Sequence, residues 1–251
     1  MEITSKNNLT IKDLRKQKDN NRFLLFLDTP KMVEEALNQG FEPLHIFVLK
    51  GKTFDFLKPN QMTFVSKEVL ESLSTVKTNA GIVGVFKMKF SSVDHIQGNF
   101  IVLDNVQDSG NVGAIMRSAL ACNFLDVILV DCASVTSEKV VRSSAGAVLK
   151  LNIVEMTCQQ YQNTSCPKNM FYADMGGKDI FDSKPDLPVG IVMGNEGHGV
   201  SKTSKQKCKG SIAIPMKNNL ESLNVAVSAG IIMYQICFGG KKWADIANGT
   251  T

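Results

Sequence analysis

Short apolar runs alternate with amphipathic stretches along almost the whole chain, and that alternation predicts an α/β protein. Residues 23–27 form an apolar strand. Thr29 and Pro30 then supply an N-cap and a first helical residue, with Met32, Val33, Ala36 and Leu37 on one face and Gly40 as the stop. Residues 45–49 and 62–65 read as strands, Ser66 caps a helix carrying Val69, Leu70 and Leu73, and 81–88 reads as a closing strand. The polar stretch 90–99, with Ser91, Ser92 and Gly98, breaks the pattern. The reading is therefore a small α/β domain over 1–88, a linker over 89–99 and a second α/β domain over 100–251. In the second domain the predicted strands are 100–103, 127–130, 151–154, 170–173, 189–193 and 211–215. The predicted helices are 112–122, 138–150, 201–209 and 223–238. Near-continuous apolar strands separated by helices call for a mainly parallel sheet covered on both faces.

Composition narrows the function only a little. At 251 residues the chain needs no covalent staple to hold a core. Its 43% hydrophobic and 21% charged residues are ordinary globular usage. A formal charge of +4 permits a nucleic-acid partner without demanding one. The six cysteines (Cys122, Cys132, Cys158, Cys166, Cys208, Cys237) contain no CxxC pair, and His45, His95 and His198 are not clustered with them. That argues against a zinc site, so no metal is expected, and scattered cysteines read as core residues of a reducing compartment. No apolar run reaches membrane-spanning length, and the polar opening lacks a signal-peptide core. The expectation is a cytoplasmic protein, although Lys12, Arg15, Lys16 and Lys18 give the opening a basic character that leaves an organelle open.

Three polar segments interrupt the second half, each after a predicted strand, where open α/β sheets bind ligands. The first runs from Asp104 to Gly113 and leads into a helix bearing Arg117. Asn111 at the helix start reads alone as an N-cap. Arg117 is either a solvated side chain or a guanidinium facing a cleft, suited to phosphate. The second, residues 194–201, places three glycines around Glu196 and His198, which suits close approach of a ligand to backbone. It is neither GxGxxG nor a phosphate loop, and His198 reads as structural. The third, residues 214–224, crowds Glu221, Ser222 and Asn224 before an apolar helix. Ser222 or Asn224 can cap that helix, but three polar side chains exceed what capping needs.

Together the segments resemble the SpoU family of RNA ribose methyltransferases, within the SPOUT superfamily. Asn111, Gly113 and Arg117 match its first motif, Gly194 to Gly199 the second, and Ile214–Met216 with Glu221–Val225 the third. The stretch 141–147 looks like the family helix between the first two. Ser109 stands where proline is frequent and Asn218 where glycine is common, but no catalytic side chain is missing. The resemblance implies a SPOUT domain with a parallel sheet and a trefoil knot, and a homodimer. It also implies S-adenosylmethionine as methyl donor and 2′-O-methylation of a ribose in RNA, ribosomal RNA above all. The first half more loosely resembles the family's ribosomal-protein-like RNA-binding domain.

By the same resemblance, Asn111, Arg117, Glu196, Ser222 and Asn224 form the polar site. The backbone around Gly194, Ile214 and Leu223 binds the adenosyl part, with Met193, Gly199 and Met216 as neighbouring walls. Arg15, Arg22 and Arg142 are candidate RNA contacts, with Lys12 and Lys16 beside them. A transfer-RNA ribose methyltransferase, an antibiotic-resistance enzyme acting on ribosomal RNA, and a catalytically silent RNA-binding or assembly protein are the alternatives.

Overall fold

A computed structural model of the protein describes residues 2–18, 20–76, 78–183, 185–218 and 220–239. Asn219 of the third polar segment, and residues 240–251 at the end of the second predicted domain, lie outside the described residues. The chain divides into two compact units, one of residues 1–89 with 134–142, the other of 90–133 with 143–251.

In the first unit the elements are β1 (Glu2–Ile3), α1 (Leu9–Gln17), β2 (Leu24–Leu27), α2 (Pro30–Asn38), β3 (Pro43–Leu49), β4 (Thr63–Val65), α3 (Lys67–Leu73) and β5 (Ile82–Lys87). They build a mixed sheet in the order β1-β4-β3-β5-β2. The capping signals do what their chemistry allows. Thr29 accepts from the Met32 amide, Ser66 accepts from the Val69 amide, and Gly40 turns the chain at φ +67. The opening, which sequence left without structure, holds β1 and α1. Asn8 caps α1, and only Ile11 and Leu14 of its nine residues are buried. Two apolar anchors are too few for a legible stripe, so the helix rests on packing with Val69, Leu73 and Val85 in the unit's core.

The second unit carries β6 (Phe100–Asp104), α4 (Ser109–Ala121), β7 (Asp126–Val130), β8 (Asn152–Met156), α6 (Cys158–Asn163), β9 (Met170–Asp179), β10 (Gly190–Met193), α7 (Lys202–Lys207), β11 (Gly210–Ala213) and α8 (Val225–Phe238). Its six strands run in the order β11-β9-β10-β6-β7-β8, and every pairing is parallel. From β6 the chain moves to β7 on one side and reaches β10 on the other. The carboxyl ends of β6 and β10 therefore flank the point where strand order reverses.

Four sequence expectations need correction. The single helix over 138–150 is broken: α5 (Glu138–Ser143) stops, Ala145 and Gly146 turn left-handed at φ 49 and 88, and a 3₁₀ turn follows over Ala147–Leu149. Two successive left-handed residues cannot continue an α-helix. The strand expected over 170–173 continues to Asp179. Helix α6 was missed although Thr157 and Gln160 form a full capping box. Among the cysteines only Cys122 is fully buried, and Cys158 is exposed at the start of α6.

Gly190 opposes Phe100 in register, and a Cβ there would lie 2.2 Å from the Phe100 ring. Gly190→Ala is expected to lower unfolding stability by about 1–3 kcal/mol, from overpacking. Urea denaturation checks this, and Phe100→Leu in the same chain should recover part of the loss.

A candidate active site at the carboxyl ends of the parallel strands

Helix α4 begins one residue after Asp108, whose carboxylate accepts from the Asn111 amide at 2.9 Å and caps the helix. Asn111 is thus the third residue of α4 and not its cap, which corrects the simplest sequence reading. With Asp108 doing the capping, the Asn111 carboxamide is available for other partners. Its Nδ2 donates to Glu196 Oε1 at 2.8 Å, and its Oδ1 accepts from Asn224 Nδ2 at 3.0 Å.

Asn224 fixes the direction of this chain of bonds. Its Oδ1 caps α8, accepting from the amides of Ala226 at 2.9 Å and Val227 at 3.3 Å. The amide's NH₂ end must then face Asn111. Because Asn111 receives that donor on its oxygen, its own NH₂ end must face Glu196, which acts as acceptor. One carboxamide therefore ties the loops after β6, β10 and β11 together.

The Gly194–Gly199 loop is shaped by a residue that sequence reasoning passed over. Asn195 Oδ1 accepts from the amides of Gly197 at 2.9 Å and His198 at 3.1 Å, and it lies 3.1 Å from His198 Nδ1. Its Nδ2 donates to the Asn105 carbonyl at 2.9 Å, joining this loop to the one after β6. His198 is thereby part of the turn, in keeping with its reading as structural. Asn195 and Gly199 also exchange backbone bonds, with Gly199 at φ +68. A Cβ on Gly194 would lie 2.3 Å from the Gly199 carbonyl carbon, so only glycine permits this closure. Beyond the loop, the buried Asp104 carboxylate at the end of β6 accepts from the Ser201 amide at 2.8 Å, and Ser201 caps α7.

These loops enclose a pocket of about 660 Å³. Of the sequence-predicted residues, Met193, Gly194, Glu196, Gly199, Ile214, Met216, Ser222, Leu223 and Asn224 line it. Asn111 is bonded to two of them without lining it. Arg117 is exposed and does not line it. Six residues along α4 place it about 120° round the helix from Asn111. Arg15, Arg22 and Arg142 belong to the other unit and are exposed, and Arg142 pairs with Glu138 at 2.7 Å. Among the described residues no group of three His, Cys, Asp or Glu side chains is placed to hold a metal ion, and no helix is long and apolar enough to cross a membrane. Apolar Met193, Ile214 and Leu223 beside polar Glu196, Ser222 and Asn224 suit an amphipathic small molecule.

Asp108 carried a readable signal, an acidic residue four before Val112, the first apolar side chain of the periodic run. Asp104 carried none, because its partner Ser201 lies far away in sequence, and the same holds for the bond from Asn195 to Asn105.

Comparison with known proteins points to the family that the three motifs resemble. The family model described as the SpoU rRNA Methylase family matches residues 98–234, more than half of the chain. The 23S rRNA (guanosine-2'-O-)-methyltransferase RlmB of Vibrio parahaemolyticus is 27% identical over 86% of this chain and 96% of its own. RlmB of Haemophilus influenzae is 27% identical over 77% of this chain and 88% of its own. Among solved structures, an AdoMet-bound rRNA methyltransferase from Sinorhizobium meliloti aligns with a TM-score of 0.81 at 23% identity, covering 94% of this chain and 97% of that one. At that identity the likeness establishes the fold.

Asn224→Ala removes both the α8 cap and the bond to Asn111. It is expected to cost about 1 kcal/mol of stability through the cap, and to speed hydrogen exchange at the Ala226 and Val227 amides, which NMR reads residue by residue.

Proposed function

The chain belongs to the SpoU rRNA methylase family, and from that premise we propose that it transfers the methyl group of S-adenosylmethionine to a ribose 2′-hydroxyl in ribosomal RNA. The observation that carries this reading is the Asn111 carboxamide bonded to both Glu196 and Asn224 beside the pocket. It holds the three motif loops as one site. The RlmB relatives, named for guanosine 2′-O-methylation of 23S rRNA, support ribosomal RNA as the substrate.

The residues fit the donor. The pocket pairs apolar walls with polar side chains, and the Gly194–Gly199 closure leaves main chain where a side chain would otherwise stand. When bound, the donor supplies an already activated methyl carbon. What the chain must add is alignment of a weak sugar nucleophile and a route for its proton. Backbone groups at Gly194, Ile214 and Leu223 hold the adenosyl part, with Met193, Gly199 and Met216 as walls.

Glu196 has one oxygen engaged by Asn111, which leaves the other to orient the ribose hydroxyl. Ser222 and Asn224 hold the donor's polar end and the active-site loop. A guanidinium in its cationic form offers donors and no proton acceptor, so Arg117 is assigned to phosphate and not to the proton. It clamps the RNA phosphate beside the target ribose, and that phosphate or a bound water takes the proton.

The finer architecture belongs to the same proposal. The catalytic part is knotted as a trefoil, as membership of the SpoU family implies, with α8 lying along α4 from the Asn111–Asn224 bond to the bond from Cys237 Sγ to the Cys122 carbonyl. The enzyme works as a homodimer, for which the half-exposed Val227 and Tyr234 of the apolar helix α8 offer a surface. Residues 1–89 bind RNA substrate, with Arg15 and Arg22 among the contacts and Arg142 added from the later segment. The cytoplasm, where ribosomal RNA is modified, is the place of action.

Incubation with labelled donor and bulk ribosomal RNA, followed by nucleoside mass spectrometry, is expected to yield a 2′-O-methylated nucleoside. A base-methylated product would overturn the assignment. Glu196→Gln and Asn111→Ala are each expected to lower kcat by about 10²-fold, the scale of a lost alignment. If Arg117→Lys kept near-full turnover at neutral pH, the bidentate phosphate clamp would be wrong.

A further inference from the structure

Strand β9 leaves the sheet in its middle. Tyr172 and Lys178 pair with the consecutive residues Ser211 and Ile212, so residues 173–177 bulge out between them. Gly177 brings the chain back: a Cβ there would lie 2.6 Å from the Ile212 carbonyl carbon, and no other residue permits so close a return. The excursion presents Asp174 to the pocket described above.

Asp174 is held in a definite orientation. Its Oδ1 accepts from the Gly176 amide at 3.0 Å, and its Oδ2 lies 3.2 Å from Lys205 Nζ on α7. The Gly176 amide, with Lys205 assisting, keeps this carboxyl below the usual carboxylate range despite partial burial. It is thus an acceptor at any working pH. A carboxylate offers about four lone-pair sites, and these two bonds use only one on each oxygen. Both oxygens can accept again, side by side. No step assigned so far uses this group, and the carboxylate of Glu196 belongs to a different loop.

We propose that Asp174 accepts the paired ribose hydroxyls of the adenosyl donor, an inference that rests on the donor assignment above. A vicinal diol presents two neutral donors at the spacing of the two oxygens of one carboxylate. The alternative group on the same donor, the α-ammonium of its amino-acid tail, would bring a second cation to a carboxylate that Lys205 already balances. A neutral diol meets no such competition. Asp174 selects ribosyl over deoxyribosyl or tail-only ligands, and Lys205 orients it.

Calorimetry on the full chain tests this with three probes: S-adenosylhomocysteine, 5′-methylthioadenosine, which lacks the tail, and the 2′,3′-dideoxy analogue of 5′-methylthioadenosine. Asp174→Ala should weaken the first two alike, by about tenfold, the scale of hydrogen bonds to a charged group. The dideoxy analogue should bind the unaltered protein about tenfold more weakly than 5′-methylthioadenosine, and lose nothing more in the variant. Equal binding of those two probes to the unaltered protein would overturn the proposal without any variant having to fold. So would a loss confined to S-adenosylhomocysteine, which would assign Asp174 to the tail. Failure of the unaltered protein to bind S-adenosylhomocysteine at all would instead remove the donor assignment, and this inference with it.

Discussion

A carboxamide has one end that donates and one that accepts, and at Asn111 both ends are committed to different loops. That constraint organises the site. Asn224 must point its oxygen at the first amides of α8, which leaves only its nitrogen for Asn111. Asn111 must then turn its nitrogen to Glu196. No amide in the series can flip without placing donor against donor, so the Glu196 carboxylate is aimed from the start of α8. A chain of carboxamides of this kind positions a carboxylate through directional hydrogen bonds.

Strand order makes such a constraint possible. Because β10 lies beside β6 in the sheet, loops about 85 residues apart in sequence leave the same edge of the sheet side by side. The Asp104–Ser201 and Asn195–Asn105 bonds join the same two loops from behind. The pocket is therefore bounded by loops tied to one another by hydrogen bonds within the chain, the kind of arrangement that in-line transfer requires. The excursion of β9 adds a further wall, placed by a register shift and not by a loop between elements.

Much of this was legible in the sequence. The apolar runs located all six strands of the second unit, most plainly β6, β7 and β10, which are buried on both faces and so continuous in hydrophobicity. The three motif loops stood out as polar interruptions at strand ends, and the residues expected around Gly194, Ile214 and Leu223 do line one pocket. What could not be read depended on distant partners. Helix α1 has two buried residues and owes its place to tertiary packing. The break at Ala145 and Gly146 had a sign in the glycine itself, masked because the apolar residues Ala147, Val148 and Leu149 beyond it prolong the helical pattern. Asn111 carried two compatible readings, and only the position of Asp108 decides that it is not the cap. Asp174 gave no local sign, because its significance comes from a bulge defined by Ser211 and Ile212.

A double-mutant cycle on methyl transfer to ribosomal RNA tests the central claim most directly, pairing Asn111→Ala with Asn224→Ala. If one oriented chain of amides aims Glu196, cutting it at either link has the same consequence, and the double variant should be no slower than the worse single one in kcat. Losses that multiply would mean the two residues act independently, and the account of a single shared constraint would fail.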